Sequence, residues 1–116
     1  MSKYIPKQGD IIKINFSPSR GKEIQHRRPA VVLSRDEYNN RMGFVIVSPI
    51  NSTIRSRANY FTLVGYRTSG QISTHQIYSL DYSQEANRSI EYIESMTKSD
   101  FLQVMQLVNY NFKPAF

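Results

Sequence analysis

A chain of 116 residues, 40% of them hydrophobic and 21% charged, fits one compact domain over 1–116, large enough to bury a core without staples. It has no cysteine, which excludes disulfides, thiolate metal sites and cysteine nucleophiles. The net charge of +6 is uneven, with 12 basic and 4 acidic residues up to Leu80 but 3 and 5 from Asp81 onward, and suggests a surface for a polyanion or an acidic protein segment.

Asp10 to Phe16 alternates apolar and polar residues through Ile12, Ile14 and Phe16, the period of a half-buried strand. Ser17-Pro18-Ser19-Arg20-Gly21 is loop chemistry. Pro29 to Ser34 is an apolar, β-branched run expected to be buried on both faces. Phe44 to Pro49 is another, stopped by its proline. Tyr60–Val64 and Gln76–Asp81 complete the expected sheet, a curled antiparallel sheet or small barrel. Beyond it the period changes. Thr97 and Asp100 form a capping arrangement, and Phe101, Val104, Met105, Val108 and Phe112 recur at helical spacing, predicting a helix from Lys98 to about Tyr110. The acidic balance after Asp81 is expected at this helical end, away from any polyanion. No apolar run approaches the roughly 20 residues of a membrane span, and Met1-Ser2-Lys3-Tyr4 begins no signal peptide, so a cytoplasmic protein without a membrane partner is expected.

Two polar segments carry the candidate chemistry. Arg20 to Arg28 holds Lys22, Glu23, His26 and Arg27 and runs directly into the strand at Pro29. Arg28, at the mouth of that strand, is fixed in direction, and its planar fork suits a phosphate. For Lys22 or Arg27 alone, a solvated basic loop is the better reading. The second segment, Asn51 to Asn59, offers Ser52, Thr53, Arg55 and Arg57 without a carboxylate, a contact loop for single-stranded nucleic acid or an ordinary hairpin loop. Tyr60, Tyr66 and Tyr78 can stack on bases or fill the core rim. His75, just before Gln76, is either a structural hydrogen-bonding residue or, if it meets Arg28, a proton-transfer group. Two histidines in all argue against a metal centre, and no cofactor is assigned.

Gly21-Lys22-Glu23 followed by Arg28-Pro29-Ala30-Val31-Val32-Leu33-Ser34 resembles the MazF/PemK family of toxins from bacterial toxin–antitoxin pairs. Gly9-Asp10-Ile11, Phe16-Ser17-Pro18, Tyr38-Asn39-Asn40, Val47-Ser48-Pro49-Ile50 and Gln76–Asp81 extend the resemblance over nearly the whole chain. It implies a mainly β fold with a C-terminal helix, a small curved SH3-like barrel shared with the CcdB toxins. It also implies a homodimer and a metal-independent endoribonuclease that cleaves single-stranded mRNA at short sequences. Attack by a ribose 2′-hydroxyl would leave a 2′,3′-cyclic phosphate and a 5′-hydroxyl. An acidic antitoxin of the MazE/PemI kind would cover the RNA groove. By this resemblance Arg28 stabilises the developing charge, with Glu23 near the site. Ser52 and Thr53 stand near the family's catalytic threonine, and Arg20, Lys22, His26, Arg27, Asn51, Arg55, Arg57 and Gln76 contact RNA.

The sequence departs from the family pattern twice. Asn51 stands where many members have the threonine, and His75 where many have a carboxylate. His75 is the expected replacement for proton transfer or phosphate binding. Two other readings stay open: a protein poison acting on gyrase, as CcdB does, and an RNA-binding module without catalysis. The absence of tryptophan argues against the first, and Asn51 keeps the second open.

Overall fold

The computed structural model describes residues 4–16, 27–83, 86 and 88–115. The strands are β1 (Asp10–Asn15), β2 (Arg27–Val32), β3 (Phe44–Asn51), β4 (Tyr60–Thr62), β5 (Gln71–Ser73), β6 (Tyr78–Asp81) and β7 (Glu91–Ser95). Helix α1 (Asp36–Met42) follows β2, and α2 (Lys98–Tyr110) follows β7. All pairings are antiparallel, in the order β4-β5-β3-β2-β1-β7, with β6 also on β3. The result is a strongly curved sheet whose end strands β4 and β7 are not paired with each other.

The curved sheet has two apolar faces, and the central strands supply both. Ile11 and Val31 join Ile50, Ile72, Val104 and Val108 on one face, while Ile12, Ile14, Ala30, Val32, Val45 and Val47 form the other. Hence β2 is buried on both faces at Ala30, Val31 and Val32, as expected. β1 is not half-buried as its alternation suggested. Ile11, Ile12 and Ile14 are all fully buried, because Ile11 faces the core under α2. The sequence pattern showed only one of two cores.

β3 also runs through Pro49 to Asn51 rather than stopping there. On one edge β3 pairs with β6 up to Val47 and with β5 from Ile50, so Pro49 falls between the two ladders. Its missing N–H leaves no partner on that edge unmatched.

Helix α2 spans the predicted residues. Thr97 caps it, accepting from the Asp100 N–H at 3.2 Å, and Val104 and Val108 anchor it, each burial contributing roughly 1.5–3 kcal/mol. Phe112 lies beyond the helix and is exposed, so it does not extend the stripe. The acidic surplus is only partly at this end, since Glu91 and Glu94 lie on edge strand β7. Among the described residues, no helix is long and apolar enough to cross a membrane.

Candidate functional site

Strand alternation carries a set of polar and aromatic side chains to one end of the Ile12–Val47 face. Arg28 follows Ala30 and Val32 on β2, Asn51 follows Val45 and Val47 on β3, and Tyr78 lies on that face opposite Val47. Extending the β2–β3 register sets Arg28 opposite Asn51. Ser73 faces away from its neighbour Ile72, which belongs to the other core. Phe16 continues the Ile12–Ile14 row and packs against the same face.

The polar members are linked. Arg28 Nη2 donates to Asn51 Oδ1, and Asn51 Nδ2 donates to Ser73 Oγ at 2.5 Å. Ser73 is fully buried, so the amide end of the chain is fixed in the fold while Arg28 stands in solvent. Beneath the guanidinium lies Phe16, its centroid 5.5 Å from Cζ, and Tyr78 meets Phe16 edge-on at 5.0 Å. A cation over an aromatic face with one hydrogen bond to an amide is held in direction without losing its charge. The guanidinium has five N–H donors, so a phosphate can take a pair of them while Asn51 keeps one.

The second polar segment is anchored by β5. The buried Gln71 side chain brackets the Arg55 peptide: Oε1 accepts from Arg55 N at 2.7 Å, and Nε2 donates to Arg55 O at 2.9 Å and Thr62 Oγ1 at 3.0 Å. Thr74 Oγ1 donates to Asn59 O at 2.7 Å. This leaves Ser52, Thr53, Arg55 and Arg57 exposed on a loop whose backbone is tied at several points.

His75 follows Ser73 by two residues on an exposed turn, its ring edge-on to Tyr60 at 5.4 Å. It lies just beyond β5, which supplies Ser73 to the Arg28 chain, and the side chain reaching Arg28 is that of Asn51. Gln76 is held by its backbone, donating to Ser73 O at 3.0 Å and accepting from Ser48 Oγ at 2.8 Å.

Arg27 points elsewhere. It pairs with Glu91 at 2.9 Å and donates to Ser89 O at 3.2 Å, so its charge is spent on the β7 side. Tyr66 sits at the start of α2, donating to Asp100 Oδ2 at 2.6 Å and accepting from Thr97 N at 3.0 Å, so it is not one of the ring platforms near Arg28. Arg20, Lys22, Glu23 and His26 lie outside the described residues.

Phe16, Gln71 and Ser73 were not singled out as site residues. Phe16 was legible in principle, since its place in the Ile12–Ile14 alternation puts it on Arg28's face. Gln71 and Ser73 lie on a three-residue strand, too short to show a period of its own.

A curved antiparallel sheet with a C-terminal helix defines a small β protein that presents one fixed arginine to solvent at the end of the sheet. Comparison with known proteins gives the family. Residues 7–112 match the model of the PemK-like, MazF-like toxin of type II toxin–antitoxin systems, and the chain belongs to that family. It is 34% identical over 80 residues to the endoribonuclease toxin MazF of Escherichia coli K12, covering 69% of this chain and 72% of that protein. Among solved structures, MazF from Deinococcus radiodurans is 27% identical with a TM-score of 0.80, covering 95% of this chain and 98% of that one. A chain of the MazE–MazF structure from the same organism gives 27% and 0.82, covering 95% of this chain and 97% of that one.

Proposed function

We propose that the chain is the toxin of a type II toxin–antitoxin pair, an endoribonuclease that cleaves single-stranded RNA at a phosphate bound by Arg28. The observation that carries this reading is the Arg28–Asn51–Ser73 chain, which aims a fixed guanidinium into solvent beside a tied loop bearing Arg55 and Arg57. The name of the Escherichia coli relative, an endoribonuclease toxin, supports it.

The reaction is a transesterification. A base removes the proton of the ribose 2′-hydroxyl, and that oxygen attacks the adjacent phosphorus. The bond from phosphorus to the 5′ oxygen breaks, and the leaving oxygen takes a proton. The products are a 2′,3′-cyclic phosphate and a 5′-hydroxyl, with no change of oxidation state. Arg28 stabilises the extra negative charge on the phosphorane oxygens, and its rigid mounting is the advantage, because a preorganised donor need not reorganise during the reaction. His75 is our candidate for proton transfer, Asn51 positions Arg28, and Ser52, Thr53, Arg55 and Arg57 hold neighbouring phosphates. Glu23 is proposed near the site on the family resemblance. Tyr60 and Tyr78 offer rings on which bases can stack.

The same basic loop would bind the acidic segment of an antitoxin, and the MazE–MazF structures of the Deinococcus radiodurans relative support that partner. We propose that the working form is a homodimer in the cytoplasm.

The test is cleavage of a long single-stranded RNA, with and without EDTA, by the purified protein and by Arg28→Ala. Cleavage that survives EDTA and disappears with Arg28→Ala is expected. Binding without cleavage would replace this reading with an RNA-binding module, and neither would overturn it. For His75, His75→Ala and His75→Gln should cleave more slowly than the parent between pH 5 and 8. Variants as fast as the parent throughout remove His75 from the mechanism.

A further inference from the structure

The segment Arg88–Glu91 ties the end of β1 to the start of β2. Asn15 N donates to Arg88 O at 2.8 Å, and Arg88 Nη1 donates to both Asn15 O at 3.0 Å and Phe16 O at 2.8 Å. In an extended strand successive carbonyls point to opposite edges, so one nitrogen reaches both only where the chain bends. The bend falls at Phe16, and it brings the Phe16 ring under Arg28 and against Tyr78. On the β2 side, Ser89 O accepts from Arg27 and the Glu91 carboxylate pairs with it. One short segment therefore grips the chain where it enters and where it leaves residues 17–26.

We propose that Arg88 is a positioning residue of the cleavage site: it bends β1 at Phe16 so that the ring supports the Arg28 guanidinium against Asn51. The inference rests on the reading of Arg28 given above. Only a guanidinium suits the task well. It stays charged at any physiological pH, and its planar nitrogen offers two N–H bonds in fixed directions to two carbonyls. A lysine ammonium can reach the same oxygens only as a point charge on a flexible stem. The route of the effect is Arg88 to Phe16 to Arg28, so losing Arg88 should slow the chemical step and leave phosphate binding by the Arg55 loop intact.

The experiment is a double-mutant cycle in the full chain, with Arg88→Gln and Phe16→Leu singly and together, on a single-stranded RNA oligonucleotide. Arg88→Gln should lower kcat by about tenfold with KM unchanged within about twofold. On the Phe16→Leu background it should cost less than about twofold, because both changes break one route. A loss that multiplies in full, or one that appears in KM alone, overturns the proposal. The NMR resonance of the Arg28 Nε–Hε group gives a readout that needs no cleavage. It should shift in Arg88→Gln and in Phe16→Leu, and stay in place in Arg35→Gln, which breaks only the exposed Arg35–Glu37 pair. An unmoved resonance in Arg88→Gln overturns the proposal even if the parent cleaves RNA. A moved resonance in a protein that never cleaves supports the positioning contact and overturns the catalytic reading of Arg28 instead. If Arg88→Gln does not fold, Arg88→Lys replaces it in the same cycle with the same outcomes.

Discussion

Gly70 opens β5 beside Asn51, and replacing it with alanine should disable the site from a position that touches no substrate. Its φ is +126°, and a Cβ built there would lie 2.3 Å from the Asn51 carbonyl oxygen and 3.0 Å from its carbon. Ordinary contact begins near 3.4 Å, so the Asn51 peptide must retreat by about 1 Å. Neither atom is the end of a flexible side chain, so the strand itself has to move. Gly65 provides the comparison, with φ +85° and nothing within 4 Å of its built Cβ. Gly65→Ala should therefore cost only backbone strain, about 1–2 kcal/mol. Gly70→Ala adds overpacking of about 1–3 kcal/mol to a similar strain. Because Asn51 links Arg28 to Ser73, a displacement of about 1 Å should also lower kcat on the order of 100-fold. Urea unfolding of both variants gives the stability difference, and cleavage of an RNA oligonucleotide below the unfolding transition gives the rate. A Gly70→Ala protein as stable and as active as Gly65→Ala would refute the reasoning.

Other perturbations probe the frame around the site. Thr97→Ala removes the α2 cap and should cost about 1 kcal/mol in urea unfolding, with Thr97→Asp recovering most of it. Burial alone would raise the Glu94 carboxyl, but hydrogen bonds from Arg67 N, Thr68 N and Thr68 Oγ1, with the Arg67 charge, hold it below its ordinary 4.5. A depressed carboxyl stabilises the fold above its unfolded value and loses that contribution as pH falls through the folded one. Acid titration of the unfolding midpoint should fall below about pH 4.5 in the parent and be flatter in Glu94→Gln. Burial, then donation to Asp10, pushes the Tyr4 phenol far above its ordinary 10.0. Its contribution is complete below pH 10 and declines as pH rises beyond, so Tyr4→Phe should be less stable at neutral pH, by about 1.5–3 kcal/mol, and lose less stability in alkali. An alkaline limb unchanged by Tyr4→Phe would contradict that assignment.

The sequence was most legible where a segment's own pattern is long enough to state its environment. The end of β2 and the start of β3 are continuous apolar runs, and α2 shows cap and stripe together. β5 and β7 were missed because neither carries a pattern of its own. β5 is Gln-Ile-Ser, and β7 is an edge strand exposed or half-buried throughout. Helix α1 was missed because it is held by a polar residue. Asn39 is fully buried, donates to Pro6 O at 2.7 Å, and its carbonyl accepts from Tyr82 OH at 2.7 Å. No apolar stripe advertises such a helix. The basic segments were visible as charge, but sequence cannot tell a cation facing solvent from one already paired. Arg27 and Arg28 are neighbours, and strand alternation sends one to Glu91 and the other to Asn51.

By itself, then, the sequence determined the central strands, the terminal helix, the family resemblance and the choice of Arg28, because each is written in contiguous residues. Tertiary structure alone decided that β1 is buried twice over, that Asn51 reaches Ser73, that Gln71 ties the Arg55 loop, and that Arg88 bends the chain at Phe16. These are contacts between residues as much as 73 positions apart. They depend on how the sheet curves, and curvature comes from the pairing of strands with one another rather than from the pattern of any one of them.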